Sequence, residues 1–215
     1  MVGKTNMHEI GLGVTGLNIQ YGTTRNPHHL DHYPGGSSSG SAAAVAAGLS
    51  PIALGCDGGG SIRIPASLCG VVGLKATWGR VSTVGSAPLH WSIGSVGPIT
   101  STAHDAAIAY SYLAGPDKRQ SFTQDQPAVD LKNFENTNLE GVKLGIFNNW
   151  FNHASEDVVK CCEQMLNSFI SQGAEVKEIE IPHLDEIRVS HAVTIATEMF
   201  TSLKNFLSPF RQPFG

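Results

Sequence analysis

Residues 35–41 read GGSSSGS and residues 57–65 read DGGGSIRIP, and these two stretches decide how the chain is interpreted. Between them, residues 42–47 are mostly alanine and are followed by Gly48, which predicts a short helix with a glycine at its end. The apolar run at residues 51–55 then predicts a buried strand. A helix and a returning strand would bring Ser37 and Ser61 close together.

Ser61 follows three consecutive glycines, Gly58, Gly59 and Gly60, whose backbone N–H groups are not shielded by side chains. Cleavage of an amide requires a nucleophile, a proton donor for the departing nitrogen and dipoles that stabilise the oxyanion. Ser61 can be the nucleophile, the N–H groups of residues 58–61 can hold the oxyanion, and Ser37 can pass a proton between Ser61 and a base. The two stretches therefore predict an acyl-transfer centre that still needs its base.

Two other interpretations of the glycine and serine residues fit the sequence less well. A single GGSSSG segment is typical of a flexible linker, but two such clusters around a predicted buried helix are not. A phosphate-binding loop would need a lysine followed by serine or threonine after the glycines, and no lysine stands at that place.

The composition excludes several classes of protein. Of the 215 residues, 41% are hydrophobic and 15% charged, which is typical of a globular chain. The net charge of −4 gives no electrostatic reason to expect a nucleic-acid partner. The nine histidines and four cysteines show no metal-binding spacing, so we expect no metal and no cofactor. With no signal peptide and no apolar run of about 18 residues, we expect an intracellular protein with reduced thiols.

Hydrophobic periodicity predicts further elements along the chain. Thr102 to Asp105 form a capping box, which predicts a helix over residues 103–114. A strand at 142–147, a helix from Ser155 to about residue 172 and a strand at 175–181 predict a parallel β-α-β unit. Shorter strands are expected at 71–75 and 81–82, and a helix is expected from Pro182 to about residue 207.

The chain resembles the amidase signature family of serine hydrolases. The resemblance is carried by residues 35–41 and 57–65 together with CGVVGLKAT at 69–77, GKTNM at 3–7 and TRNP at 24–27. The DGGGS form of the second motif, with residues 11–18, is similar to the plant-type fatty acid amide hydrolase branch. The resemblance implies an α/β fold, with a mixed twisted sheet covered by helices. It also implies one partial domain over residues 1–215, with a motif region at 2–115 and a strand-helix-strand extension at 140–207.

The resemblance also implies roles for individual residues. Ser61 takes the position of the nucleophile in a Ser–cis-Ser–Lys triad, and Ser37, preceded by a cis peptide bond, takes the bridging position. The N–H groups of Gly58, Gly59, Gly60 and Ser61 match the oxyanion hole. Three further residues match supporting positions: Ser38, Asp57 and Arg63.

One member of this triad has no counterpart in the sequence, because the family's lysine lies upstream of Met1, and Lys4 and Lys75 do not occupy its position. We therefore expect the 215-residue polypeptide alone to be nearly inactive and its full-length form to be an amidase. The favoured substrates are fatty acid amides or N-acylethanolamines. The alternatives are a glutaminase that resembles the amidotransferase component serving glutamyl-tRNA, and a truncated pseudoenzyme. For the full-length form, a homodimer, peripheral membrane contact and a cytoplasmic or membrane-peripheral location are further expectations.

Overall fold

The computed structural model describes residues 2–207, and their contacts divide into two compact units. Unit 1 holds the described residues up to Leu131 and those from Ala192 onward, and unit 2 runs from Lys132 to His191. The strands are β1 (Ile52–Asp57), β2 (Val72–Gly73), β3 (Ser95–Thr100), β4 (Lys143–Ile146) and β5 (Glu175–Glu178). The helices are α1 (Ser39–Ala46), α2 (Arg63–Leu68), α3 (Ala103–Leu113), α4 (Asn148–Phe151), α5 (Glu156–Ser171) and α6 (Leu184–Leu207).

The sheet of unit 1 has three antiparallel strands in the order β1-β3-β2. The central strand, β3, was not predicted, because it contains Gly97 and Pro98, residues that usually interrupt strands. The predicted strand at 81–82 was wrong, since Val81 forms only an isolated bridge with Ala114. β1 ends where Asp57 pairs with Ser95 of β3. The next residues, 58–62, form a loop that is called the glycine-rich loop below.

The helices of unit 1 form mainly where the sequence predicts them. α1 covers the alanine-rich segment, and Gly48 after it has a φ of +70°, a conformation that favours glycine. At the start of α3 the hydroxyl of Thr102 accepts a hydrogen bond from the N–H of Asp105, which confirms the predicted cap. The short helix α2 was missed, because its six residues include a proline and too few apolar positions to show a period.

A small hydrophobic core lies beneath both serine-containing segments. Ala42 of α1, Ile62 of the glycine-rich loop, Cys69 and Ile99 of β3 are fully buried, and Val45 is nearly so. Full burial of a side chain such as Ile62 contributes about 1.5–3 kcal/mol. This core therefore holds α1, β1 and α2 in fixed positions beside the serines.

Unit 2 contains the predicted β-α-β arrangement. β4 and β5 are parallel, with Lys143 opposite Glu175, and α5 connects them in sequence after the single-turn helix α4. Both strands are shorter than predicted, which is typical of element ends. In the part of the chain that the structure describes, no helix is long and apolar enough to cross a bilayer.

Candidate active site

The two serine-containing segments meet at their backbones. The N–H of Ser38 donates to the carbonyl of Ser61 over 3.1 Å. The peptide bond between Gly36 and Ser37 is cis, as the resemblance implies. Ser37 is 5% exposed, whereas Ser61 is only partly buried. The structure therefore places the segment that contains Ser37 directly beside the segment that contains Ser61.

The carboxylate of Asp57 organises the glycine-rich loop from within. This side chain is fully buried, and its oxygens accept the N–H groups of Gly60 at 2.7 Å and of Ile62 at 3.1 Å. The guanidinium of Arg63 donates to both oxygens at 3.0 Å. Because one carboxylate gathers donors from several positions, the loop closes into a tight turn just after β1.

The pKa of Asp57 records this environment. Burial by itself would raise the pKa, but the hydrogen bonds from Arg63, Ile62 and Gly60 outweigh it and hold the pKa below its ordinary value. The hydrogen bond between Arg63 and Asp57 also raises the pKa of the Arg63 guanidinium. Asp57 is therefore an anion at neutral pH and a structural partner of the loop.

Ser38 and Ser41 attach α1 to β1 through their hydroxyl groups. The hydroxyl of Ser38 accepts the N–H of Cys56 at 3.2 Å, and the hydroxyl of Ser41 donates to the carbonyl of Leu54 at 2.8 Å. Both serines are at least nine-tenths buried. The supporting role predicted for Ser38 thus corresponds to a contact that holds the first serine segment against the strand leading to the second.

The backbone N–H groups of the loop fall into two kinds. The N–H of Gly60 is engaged by Asp57, so its role as an oxyanion donor stays a prediction and would require a shared hydrogen bond. Within residues 2–207, the N–H groups of Gly58, Gly59 and Ser61 donate to no other group. No described group would therefore have to be displaced for these three N–H groups to meet a ligand.

The hydroxyl groups of Ser37 and Ser61 are also without hydrogen bonds to other described residues, including to each other. No lysine in the described range contacts either of them through a hydrogen bond. Lys75 instead donates to the carbonyl of Ala76 at 2.9 Å and approaches the hydroxyl of Ser95 at 3.4 Å. The absence of the triad lysine from this chain therefore stays a prediction.

A cavity of about 460 Å³ opens beside Ser37. Much of the cavity wall is apolar and comes from a loop at residues 83–91, called the cavity loop below, which was not predicted from the sequence. Apolar residues that line the cavity include Met7, Val84, Leu89, Trp91 and Phe122. Cys56 also lines it, and burial, followed by the nearby charge of Asp57, raises the pKa of this thiol. A largely apolar space next to a serine hydroxyl suits the hydrocarbon part of a ligand.

The helix α6, which is distant in sequence, forms hydrogen bonds with the cavity loop and with the residue that follows it. The carboxylate of Glu198 in α6 accepts hydrogen bonds from the N–H of Ser92, the residue that follows the loop, at 3.1 Å and from its hydroxyl at 2.5 Å. One turn later, the hydroxyl of Ser202 donates to the carbonyl of Pro88. Nothing in the local sequence of the loop or of α6 signals these contacts.

Comparison with known proteins identifies the family. Residues 1–212 match the family model described as Amidase. The chain is 48% identical over 208 residues to a protein of Medicago truncatula named "Fatty acid amide hydrolase". This match takes in 94% of the chain but only 34% of the relative, so the chain spans about a third of that protein's length.

Solved structures share the fold. A glutamyl-tRNA(Gln) amidotransferase subunit of Thermotoga maritima superposes with a TM-score of 0.88 at 38% identity, over 95% of this chain and 45% of that one. The native peptide amidase of Stenotrophomonas maltophilia gives a TM-score of 0.86 at 32% identity, over 98% and 45% of the two chains. The expected α/β fold is thereby confirmed.

Proposed function

The chain belongs to the Amidase family, and on that premise we propose that it carries the nucleophile and oxyanion donors of a serine hydrolase acting on linear carboxylic amides. The observation that carries the proposal is the backbone contact between Ser38 and Ser61. It sets two serine hydroxyls in neighbouring segments beside backbone N–H donors, and among residues 2–207 neither the hydroxyls nor these donors have a hydrogen-bond partner. Ser37 lines the cavity, and a polar group without a described partner beside a cavity is one that a substrate can engage.

The proposed reaction uses the two serines in sequence. Ser61 attacks the amide carbon, and the N–H groups of Gly58, Gly59 and Ser61 stabilise the tetrahedral oxyanion. Ser37 delivers to the leaving nitrogen the proton that Ser61 gives up. Water then attacks the acyl-Ser61 ester, releases the carboxylic acid and returns the proton to Ser61.

A serine pair needs a base to start this cycle. The family resemblance implies a lysine, and a desolvated lysine with a lowered pKa can take the proton from the bridging Ser37. Removal of a general base typically reduces the rate by about 10²–10⁴-fold. Lys75 does not fit this role, since its ammonium group already donates to Ala76 and Ser95.

For the substrate we propose fatty acid amides or N-acylethanolamines. The apolar walls of the cavity suit a hydrocarbon chain, and the Medicago truncatula relative carries the name of a fatty acid amide hydrolase. A homodimer and peripheral membrane contact of the full-length form stay predictions.

The test uses the full-length gene product with an alkyl fluorophosphonate, followed by mass spectrometry of the labelled peptide. We expect one adduct on Ser61, its loss in Ser61→Ala, and release of free fatty acid from a primary amide and an N-acylethanolamine. A protein that forms no adduct and hydrolyses no amide would contradict the proposal and would favour a catalytically inactive member of the family.

A second candidate function is supported by the Thermotoga maritima structure, which belongs to an amidotransferase. In that case the protein would hydrolyse glutamine to release ammonia and would need a partner protein. Hydrolysis of glutamine only in the presence of a partner, with no release of long-chain acids, would favour this function.

A further inference from the structure

His90 occupies a position in unit 1 that only two glycines make possible. A Cβ atom placed on Gly58 would lie 2.8 Å from ring atoms Cε1 and Nε2 of His90, and one placed on Gly94 would lie 2.5 Å from Nδ1. Real side chains do not approach this closely. The imidazole is therefore packed directly against the backbone of the glycine-rich loop at Gly58, one of the proposed oxyanion donors.

The imidazole of His90 has unused hydrogen-bonding capacity. A neutral ring offers one donor and one acceptor, yet neither ring nitrogen bonds to another group among residues 2–207. The side chain is partly buried and lines the cavity. Because the ring is held in place and its nitrogens have no described partners, it can form a hydrogen bond with a ligand in the cavity.

The other polar side chains of the cavity wall are differently placed. The amide of Gln120 donates to the hydroxyl of Thr83 at 2.8 Å and accepts the N–H of Thr83 at 2.9 Å, and the hydroxyl of Ser86 donates to the carbonyl of Thr83 at 2.6 Å. Among the hydroxyl, amide and imidazole groups of the lining, this leaves Ser37 and His90 without described partners. Ser37 is already proposed for proton transfer. The indole N–H of Trp91 also has no described partner, but Trp91 is 51% exposed, so His90 is the partly buried polar side chain that remains for substrate recognition.

We propose that His90 is a specificity residue that hydrogen-bonds a hydroxyl group on the leaving amine of an N-acyl amino alcohol. The inference rests on the proposed amide hydrolysis and names the leaving group that the site prefers. The acyl chain contacts the apolar wall, and the one other polar part of such a substrate reaches the imidazole next to Gly58. Amides that lack this hydroxyl leave the ring nitrogens unpaired and should react less efficiently.

The experiment compares two substrates of equal acyl chain and nearly equal size, an N-acylethanolamine and the matching N-propyl amide. With the full-length protein we expect kcat/KM to favour the ethanolamide by about tenfold or more, the size expected for one hydrogen bond of this kind. His90→Phe keeps a ring between Gly58 and Gly94 but removes both nitrogens. It should abolish the preference, which is read as the ratio of the two kcat/KM values within the one variant and so does not depend on its overall rate. His90→Asn, which keeps a donor and an acceptor, should retain part of the preference.

His191→Phe, a replacement of an exposed histidine in α6, is the matched control and should leave the preference intact. Hydrolysis of both amides with equal efficiency by the unmodified protein would overturn the inference and leave the amidase proposal standing. An unchanged preference in both His90→Phe and His90→Asn would also overturn it. If neither amide is cleaved and Ser61 is not labelled by a fluorophosphonate, the proposed function fails and the inference fails with it.

Discussion

Two sets of polar groups surround the glycine-rich loop, and they differ in whether the protein itself satisfies them. The supported set is Asp57, Arg63 and Ser38, whose side chains are hydrogen-bonded within the chain. The free set is Ser37 and Ser61, whose hydroxyls bond to no described residue. Neighbouring residues of one motif therefore differ in role, as Ser37 and Ser38 do. The supported set shapes the backbone, and the free set makes no described hydrogen bond, so under the proposed function mutations should separate stability from activity.

The largest expected effect is on activity. Ser61→Ala removes the proposed nucleophile and should lower kcat/KM for an amide by about 10⁴-fold or more, because residues of a catalytic unit fail together. The melting temperature should stay nearly unchanged, since this hydroxyl bonds to no described residue. Ser67→Ala in α2 is the control, as Ser67 is exposed in a neighbouring helix. A full loss of activity in the control, or a large loss of stability in Ser61→Ala, would break the comparison.

Stability should respond most strongly to the supported set. Asp57→Asn removes a fully buried anion and points an amide N–H₂ toward N–H donors, so we expect it to reduce the free energy of unfolding by about 3 kcal/mol. Arg63→Gln should cost only about 1 kcal/mol, because the Arg63 side chain is 55% exposed and solvent screens its charge. Urea denaturation measures both. Equal costs for the two variants would show that the carboxylate does not organise the loop.

The pH dependence of the free energy of unfolding also tests the role of Asp57. The folded-state pKa of Asp57 lies below its unfolded value of about 3.9, so its stabilising effect is complete well above that pH and is lost as the pH falls toward the folded pKa. The difference in free energy of unfolding between the unmodified protein and Asp57→Asn should therefore be constant near pH 7 and shrink below about pH 4.

Arg119 and Ser82 lower the pKa of Asp117 in the same direction, so the acid sensitivity of the unmodified protein alone does not isolate Asp57. Asp117→Asn serves as the control background. Introducing Asp57→Asn into that background should change the free energy of unfolding with the same pH dependence as in the unmodified protein. A difference that grows on acidification would contradict the assignment of the shift to Asp57.

The smallest effect concerns Ser38. Ser38→Ala leaves the N–H of Cys56, a partly buried residue, without its acceptor and should cost about 1 kcal/mol in unfolding free energy. Activity should fall only modestly, because Ser38 holds α1 against β1 and is not the proposed nucleophile or relay. Thermal unfolding and hydrolysis assays of one preparation measure both. A loss of activity as large as that of Ser61→Ala would move Ser38 into the free set.

The sequence predicts the local part of this arrangement and misses the distant part. The paired motifs predict the approach of Ser37 to Ser61, because a short helix and a strand leave the chain few other routes. β3 was not predicted, because Gly97 and Pro98 usually interrupt strands. It is a strand because it pairs with β1 on one side and β2 on the other. His90 and the contact between Ser92 and Glu198 were missed for another reason. The position of His90 and this contact depend on tertiary packing, and Ser92 and Glu198 are 106 residues apart in sequence.

The contacts of Glu198 and Ser202 with the cavity loop have a consequence for synthesis. A ribosome that makes about 5–20 residues per second produces both serine motifs well before α6 exists. The loop at residues 83–91 can acquire its fastening only after residue 202 has left the exit tunnel. The nascent chain would hold the hydroxyls of Ser37 and Ser61 for several seconds beside a cavity loop that α6 does not yet contact, so the cavity would take its final shape late in translation.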